Sequence, residues 1–402
     1  MKIDIGVRLS AMMFLEYFIW GAWYVTMGTY MGEHFKETEI DKNIGYAYSA
    51  LAVATIFSPF FVGMIADRFF AAQRIMGVLH IAGAAILYLA TTVSTSGVFL
   101  WVILFYSLLY MPTIALSNSV AFGQMTDPGK QFPWIRVFGT LGWIAAGILV
   151  GQLQIEKTNT TFLIAAGGSA LLGLFSFILP NTPPKGKASE SSASKALGTE
   201  AFVLFRNKPY LIFFIAAILV CIPLSFYYGF ANPFLNELGV EKAATKMTLG
   251  QISEAVFIIA IPFLFYRIGV KNMLLMGMVA WILRYVCFAY GDTGSGMWML
   301  YAGIILHGIC YDFFFVTGYM YTEKKAGEKI KNAAQGLFTF ATYGVGMLIG
   351  TWFSGIIVNQ YKLSTDSHDW TKIWWVPAYI AIAVIIYFLL FFKEKKDIKQ
   401  AS

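Results

Sequence analysis

Gln251-Ile-Ser-Glu254-Ala-Val-Phe-Ile-Ile-Ala-Ile-Pro262 decides how this chain is read. The stretch lies inside an apolar run long enough, at roughly twenty residues, to cross a bilayer as a helix. Glu254 has no water of its own at that depth, where an ionised carboxylate costs about 2.5 kcal/mol or more. It must be protonated, paired or facing a wet cavity. Gln251 stands one turn earlier on the same helical face. An amide and a carboxyl aimed together from a lipid-crossing helix predict a polar site inside a membrane protein.

Composition agrees with that reading. Of 402 residues, 58% are hydrophobic and 13% charged, about half the charge of a typical soluble chain. The net charge of +7 needs no nucleic acid to explain it, because Lys and Arg gather in short loops on one side. Cys221, Cys287 and Cys310 each lie in an apolar run and read as small buried hydrophobes, not as a disulfide framework. The first apolar segment has no small-residue cleavage site and is too long for a signal core, so it reads as a retained helix.

Apolar segments recur at 8–31, 44–66, 73–94, 98–123, 133–154, 161–180, 209–235, 247–268, 272–290, 296–321, 332–359 and 371–392. That predicts about twelve crossings at roughly 1.5 Å per residue. An even number puts both termini on one side, and Lys and Arg decide which. With the termini in the cytoplasm, the outer loops hold only Lys36, Lys42, Lys157, Lys242, Lys246, Lys362 and Lys372. The inner loops and ends hold most of the rest, among them Arg68, Arg74, Lys185, Lys187, Lys195, Lys324, Lys325 and a tail beginning at Lys393.

The longest polar interruption, 181–208, divides the chain into an N-terminal half, 1–180, and a C-terminal half, 209–402, of six segments each. The expectation is an all-α integral membrane protein of two six-helix bundles with a cytoplasmic linker and a short basic tail. In such architectures the substrate site lies near the membrane midplane between the halves. Gly147-x-x-x-Gly151 and Gly346-x-x-x-Gly350 let backbones approach closely. They serve either static packing or smooth faces on which one bundle rocks against the other.

The ionisable residues within these segments are Glu16, His80, Arg136, Glu254, Arg284, His307 and Asp312, all functional candidates. Arg136, Thr140 and Trp143 share one helical face at spacings of four and three. A guanidinium, a hydroxyl and an indole suit a flat, oxygen-rich ligand; alternatively Arg136 snorkels to the nearby cytoplasm. Asp312 is a lone carboxylate among aromatics, which makes it either a proton carrier or the structural partner of Arg284. Glu254 carries the same ambiguity, with Gln251 tilting it toward ligand contact. Glu16 is a third site carboxylate or an interhelical hydrogen-bonding group. His80 reads as a packing histidine, and His307 either titrates or binds solute.

On the seventh helix Ser225, Tyr227 and Tyr228 precede Asn232-Pro233. Pro223 and Pro233 allow local unwinding that would expose backbone to a cavity. Aromatics elsewhere read mostly as interface belts and core. No metal-ligand cluster, phosphate loop or nucleophile–base set stands out. That predicts a carrier driven by an ion gradient, with no cofactor and no enzymatic step. Protons are favoured because buried carboxylates can bind and release them.

Several patches together resemble one family. Gly63-Met-Ile-Ala-Asp67-Arg68-x5-Arg74 looks like a degenerate major facilitator signature. Tyr110-Met-Pro-Thr113, Ile135-Arg136-x-x-Gly139-Thr140, Gln251-Ile-Ser-Glu254, Val279-Ala-Trp-Ile-Leu-Arg284 and Asp312-Phe-Phe resemble the nucleoside:proton symporters of that superfamily. The resemblance implies proton-driven nucleoside uptake at the inner membrane; the expected mechanism is alternating access, and the expected state is a monomer. The resemblance implies nucleoside contact by Arg136, Thr140, Gln251 and Glu254, and a place for Asp312 in the site or its proton coupling. Departures bear on the substrate. Ser225 and Tyr228 stand where uridine-transporting members have Gln and Asn. Trp143 and Tyr311 each replace a Phe, His307 a Tyr, and Glu16 a Gln. A changed nucleoside preference is expected, toward purines or a modified nucleoside. The alternative cargo on the same fold is a sugar or other glycoside-like solute.

Overall fold

A computed structural model describes residues 3–61, 70–183, 199–364 and 367–393. Asp67 and Arg68 of the signature-like loop, the linker lysines 185, 187 and 195, and most of the basic tail lie outside those residues. The helices are α1 (Ile3–Trp23), α2 (Met27–His34), α3 (Ile40–Phe61), α4 (Ala72–Ala90), α5 (Ser96–Gly123), α6 (Pro128–Gln152) and α7 (Thr160–Ser176). After a 3-10 turn at Thr199–Arg206 follow α8 (Lys208–Glu237), α9 (Ala243–Ile268), α10 (Val270–Tyr290), α11 (Met297–Tyr311), α12 (Thr317–Thr339), α13 (Met347–Gln360) and α14 (Trp370–Phe391). A small hairpin, β1 (Lys362–Ser364) and β2 (Ser367–His368), joins the last two helices. Among the described residues ten spans are long and apolar enough to cross a membrane. Each of the twelve expected segments overlaps a helix.

The polar residues between the segments start and stop these helices. Asp127 caps α6 by accepting the Lys130 N–H at 3.3 Å, with Pro128 in the first turn. Asn207 does the same for α8, accepting from Tyr210 N at 3.1 Å. Such caps satisfy N–H groups that the helix itself leaves without partners. Gly327 interrupts α12 with φ +65° and ψ 179°, a left-handed conformation that suits glycine because it lacks Cβ. There the chain turns from one crossing into the next.

The unwinding expected at Pro223 and Pro233 does not occur: α8 runs unbroken through both. Each proline removes one backbone donor, but a larger share of α8 is buried than of any other described span, and that packing keeps the helix continuous through both. The irregular backbone lies elsewhere. The chain breaks between α1 and α2 and widens into π turns at Asp312–Val316 and Phe340–Gly346. Single π turns frequently mark functional positions in helices.

Helices α1–α7 pack into one bundle and α8–α14 into a second. The seam pairs α3 with α13, α6 with α9, and α2 with α8. The two glycine motifs part company here. A Cβ on Gly151 would lie 2.5 Å from Thr245 N across the seam, whereas one on Gly346 would meet Cys221 within its own bundle. The first motif lines the seam between the bundles and the second packs within one of them. Gly45 and Gly355 bring α3 and α13 equally close, a Cβ on Gly45 falling 2.9 Å from the Gly355 Cα.

Hydrogen bonds between described residues that cross the seam sit in the half of the molecule away from the 181–208 linker. Ser49 Oγ lies 2.7 Å from Thr351 Oγ1, and Thr29 donates to Asn232 at 2.5 Å. Glu156, from the loop after α6, accepts from Asn232, Asn236 and the Ala244 N–H, each at 2.8 Å. His368 lies 3.3 Å from Asp41 at the start of α3 and 2.7 Å from Glu237 at the end of α8. Together these close the far face.

Candidate functional site

A cavity of about 360 Å³ lies on the seam, within the range of about 300–1,000 Å³ usual for small-molecule sites. One bundle supplies Arg136, Thr140 and Trp143 from α6, where spacings of four and three set all three side chains on one face. The other supplies Tyr228 from α8, Gln251 and Glu254 from α9, and His307 and Tyr311 from α11. The lining extends toward the linker side through Thr55, Tyr319 and Thr339. The far face is the sealed one.

Arg136 does not snorkel out. Its guanidinium lies over the Tyr17 ring at 4.1 Å and borders the cavity. Glu254 is partly buried, and its Oε2 is 3.8 Å from His307 Nε2. The hydroxyls of Tyr311 and Tyr343 are hydrogen-bonded to each other, fixing one wall. These groups provide hydrogen-bond donors, acceptors and flat ring faces around one space. That combination can orient a solute with a ring and several polar substituents.

Two residues from the expected site stand outside the cavity. Ser225 is fully buried and donates to the Cys221 carbonyl at 2.8 Å, in the pattern of a helical serine bonded one turn back. Asp312 is buried behind the wall at the head of its π turn, with neither carboxylate oxygen hydrogen-bonded to any described residue. It forms no pair with Arg284. A buried carboxyl without a protein partner is a group that a proton or a movement must satisfy.

Glu16 joins the core of the first bundle. Its Oε2 is 3.0 Å from His80 Nε2, and Thr113 donates to Oε1 at 2.6 Å. His80 also meets Ser169, so it is held as a packing histidine.

The aromatic wall was not legible as such. Tyr17, Trp20, Tyr24 and Tyr48 border the cavity, with Trp20 edge-on to Trp143 at 5.3 Å and Tyr24 tilted against Tyr228 at 5.7 Å across the seam. The spacing of Tyr17, Trp20 and Tyr24 at three and four places them on one helical face with Glu16's neighbours, a signal that belts and core also produce.

Two bundles around a central cavity that holds a few polar groups among aromatics, closed on one face, are the build of a secondary transporter of the major facilitator fold, a multi-pass membrane protein. Comparison narrows this. The sequence pattern of the nucleoside H+ symporters matches residues 1–397, and the chain belongs to that family. It is 42% identical to the Escherichia coli (strain K12) protein YegT, over 97% of this chain and 94% of that one. It is 37% identical to the xanthosine permease of the same organism, over 98% and 97%. The crystal structure of the nucleoside transporter NupG superposes with a TM-score of 0.90 at 34% identity, covering 98% of this chain and 100% of that one.

Proposed function

We propose that this protein carries a nucleoside together with a proton into the cell across the inner membrane, with both termini and the 181–208 linker cytoplasmic. The observation that carries this reading is the seam cavity itself, where Arg136 and Thr140 of one bundle face Gln251 and Glu254 of the other. A solute held by both bundles differs in affinity between the two arrangements of the seam, and that difference is what drives an alternating equilibrium. With the far face sealed, the described conformation is the inward-facing one.

The ribose hydroxyls suit Arg136, Gln251 and Glu254, which offer donors and acceptors in fixed planes. The base suits the ring faces of Trp143 and Tyr228 with His307 and Tyr311 at its edge. Their bulk and aromatic character, and the removal of Ser225 from the cavity, favour a purine base over uridine's pyrimidine; similarity to a xanthosine permease supports the same preference. Glu254 in the cavity and Asp312 behind it are the proton-coupling carboxyls. The bilayer is the only partner this monomeric reading requires.

Uptake of labelled purine and pyrimidine nucleosides into proteoliposomes, with and without an imposed pH gradient, tests the reading. Accumulation of a purine nucleoside that collapses with the gradient is expected. Transport of no nucleoside would overturn the function, and gradient-independent transport would overturn the coupling.

A further inference from the structure

Arg284 is fully buried on α10 and does not border the cavity. Its guanidinium lies over the Tyr227 ring at 3.3 Å. Among the described residues it has no carboxylate partner, and its Nη1 is 3.2 Å from His307 Nδ1. A guanidinium has only donors to offer. The nitrogen it meets must therefore present a lone pair, and a proton on Nδ1 would set two donors against each other. The single N–H of the neutral ring is then on Nε2, the nitrogen turned toward Glu254 and the cavity. In histidines the bond made by one nitrogen sets the role of the other.

We infer that Arg284 is a positioning residue that fixes His307 as its Nε2–H tautomer, so that His307 reads the solute as a hydrogen-bond donor only. The group opposite it on the solute is an acceptor, a carbonyl oxygen or an unprotonated ring nitrogen of the base. Resting on the nucleoside reading, this assigns the polarity of one contact in the site and traces it to a side chain that never touches the solute. The charge of Arg284 faces the Tyr227 ring and one N–H is used on the imidazole, while Nε and Nη2 have no hydrogen-bond partner among the described residues.

The tautomer is read directly by 15N NMR of imidazole-labelled protein in lipid nanodiscs. The chain has 4 histidines, and the difference from His307→Gln isolates the signal. A protonated Nε2 with a bare Nδ1 is expected; protonation at Nδ1 at neutral pH would overturn the inference. This measurement needs no transport, so its outcome stands apart from the failure or success of the nucleoside reading.

In Arg284→Met the ring is free to adopt either tautomer, so an Nδ1-protonated population should appear in the same spectra, while KM in uptake assays rises by no more than about twofold because the solute still selects the competent tautomer. Arg284→Lys, which keeps a donor for Nδ1, should restore the single tautomer. A merely structural role would lower the amount of active protein instead and leave KM and the tautomer alone. An unchanged single tautomer in a folded Arg284→Met protein would overturn the inference.

Discussion

Replacing Glu156 by Ala should open the far face. This carboxylate is only 4% exposed, belongs to the first bundle, and accepts three hydrogen bonds from the second, from Asn232, Asn236 and the Ala244 N–H. Hydrogen bonds to a charged group contribute about 1.5–3 kcal/mol each. That range already allows for hydration of the opened groups, but three bonds sharing one carboxylate do not add in full. A net loss of about 2–4 kcal/mol remains, which shifts the equilibrium roughly 30- to 1,000-fold away from the sealed state. Spin labels at Thr158 and Glu241, exposed on either side of the seam, report the change by double electron–electron resonance in nanodiscs. The expected result is a longer distance population in Glu156→Ala that is minor in the parent, accompanied by slower net uptake. Unchanged distances would mean that Ser49–Thr351, Thr29–Asn232 and the His368 contacts close the face without Glu156, and the weight given to this carboxylate would be refuted.

Arg136→Ala and Glu254→Gln should each abolish nucleoside uptake while the protein still inserts in the membrane, as checked by surface-protein quantification and uptake together; wild-type transport by either would remove the site assignment. Asp312→Asn should keep downhill exchange but lose accumulation driven by a pH gradient, measured by counterflow beside gradient-driven uptake. Burial lowers the affinity of His368 for its proton, but the Asp41 and Glu237 carboxylates at its two nitrogens outweigh this and push its pKa up to about 9 from 6.5. The sealed far face thus holds the proton more tightly than an open, hydrated one. Only the Asp41 share of that pull is lost when the seam opens, because Glu237 lies in the same bundle as His368; the stabilisation is therefore present at lower pH and fades as external pH rises through about 9, so the open population seen by the same labels should grow toward that pH and His368→Gln should flatten the change. Gly151→Leu, whose Cβ would meet Thr245 N at 2.5 Å, should hold the seam apart and slow transport at least tenfold, whereas Gly346→Ala, inside one bundle, should act through the amount of folded protein.

Hydrophobic run length and the long polar interruption were enough to read about twelve helical segments in two halves, because a bilayer forces every backbone polar group into helices of nearly fixed length. The same constraint made Arg136, Glu254 and His307 conspicuous, since lipid tolerates few ionisable groups. Helical spacing then put Arg136 with Thr140 and Trp143, and Gln251 with Glu254. What spacing could not supply was which faces of different helices meet. Ser225 and Tyr228 are neighbours on α8, yet one is spent on its own backbone and the other borders the cavity. Glu156 reads in the sequence as an ordinary loop acid and becomes a three-bond clasp only when α8 and α9 are brought to it. Gly147-x-x-x-Gly151 and Gly346-x-x-x-Gly350 are the same motif, but one faces the opposing bundle and the other its own. The pairing of Arg284 with His307, not Asp312, likewise depends on how α10 lies against α11. One-dimensional pattern records what each helix must bury; only packing between helices decides what it is buried against.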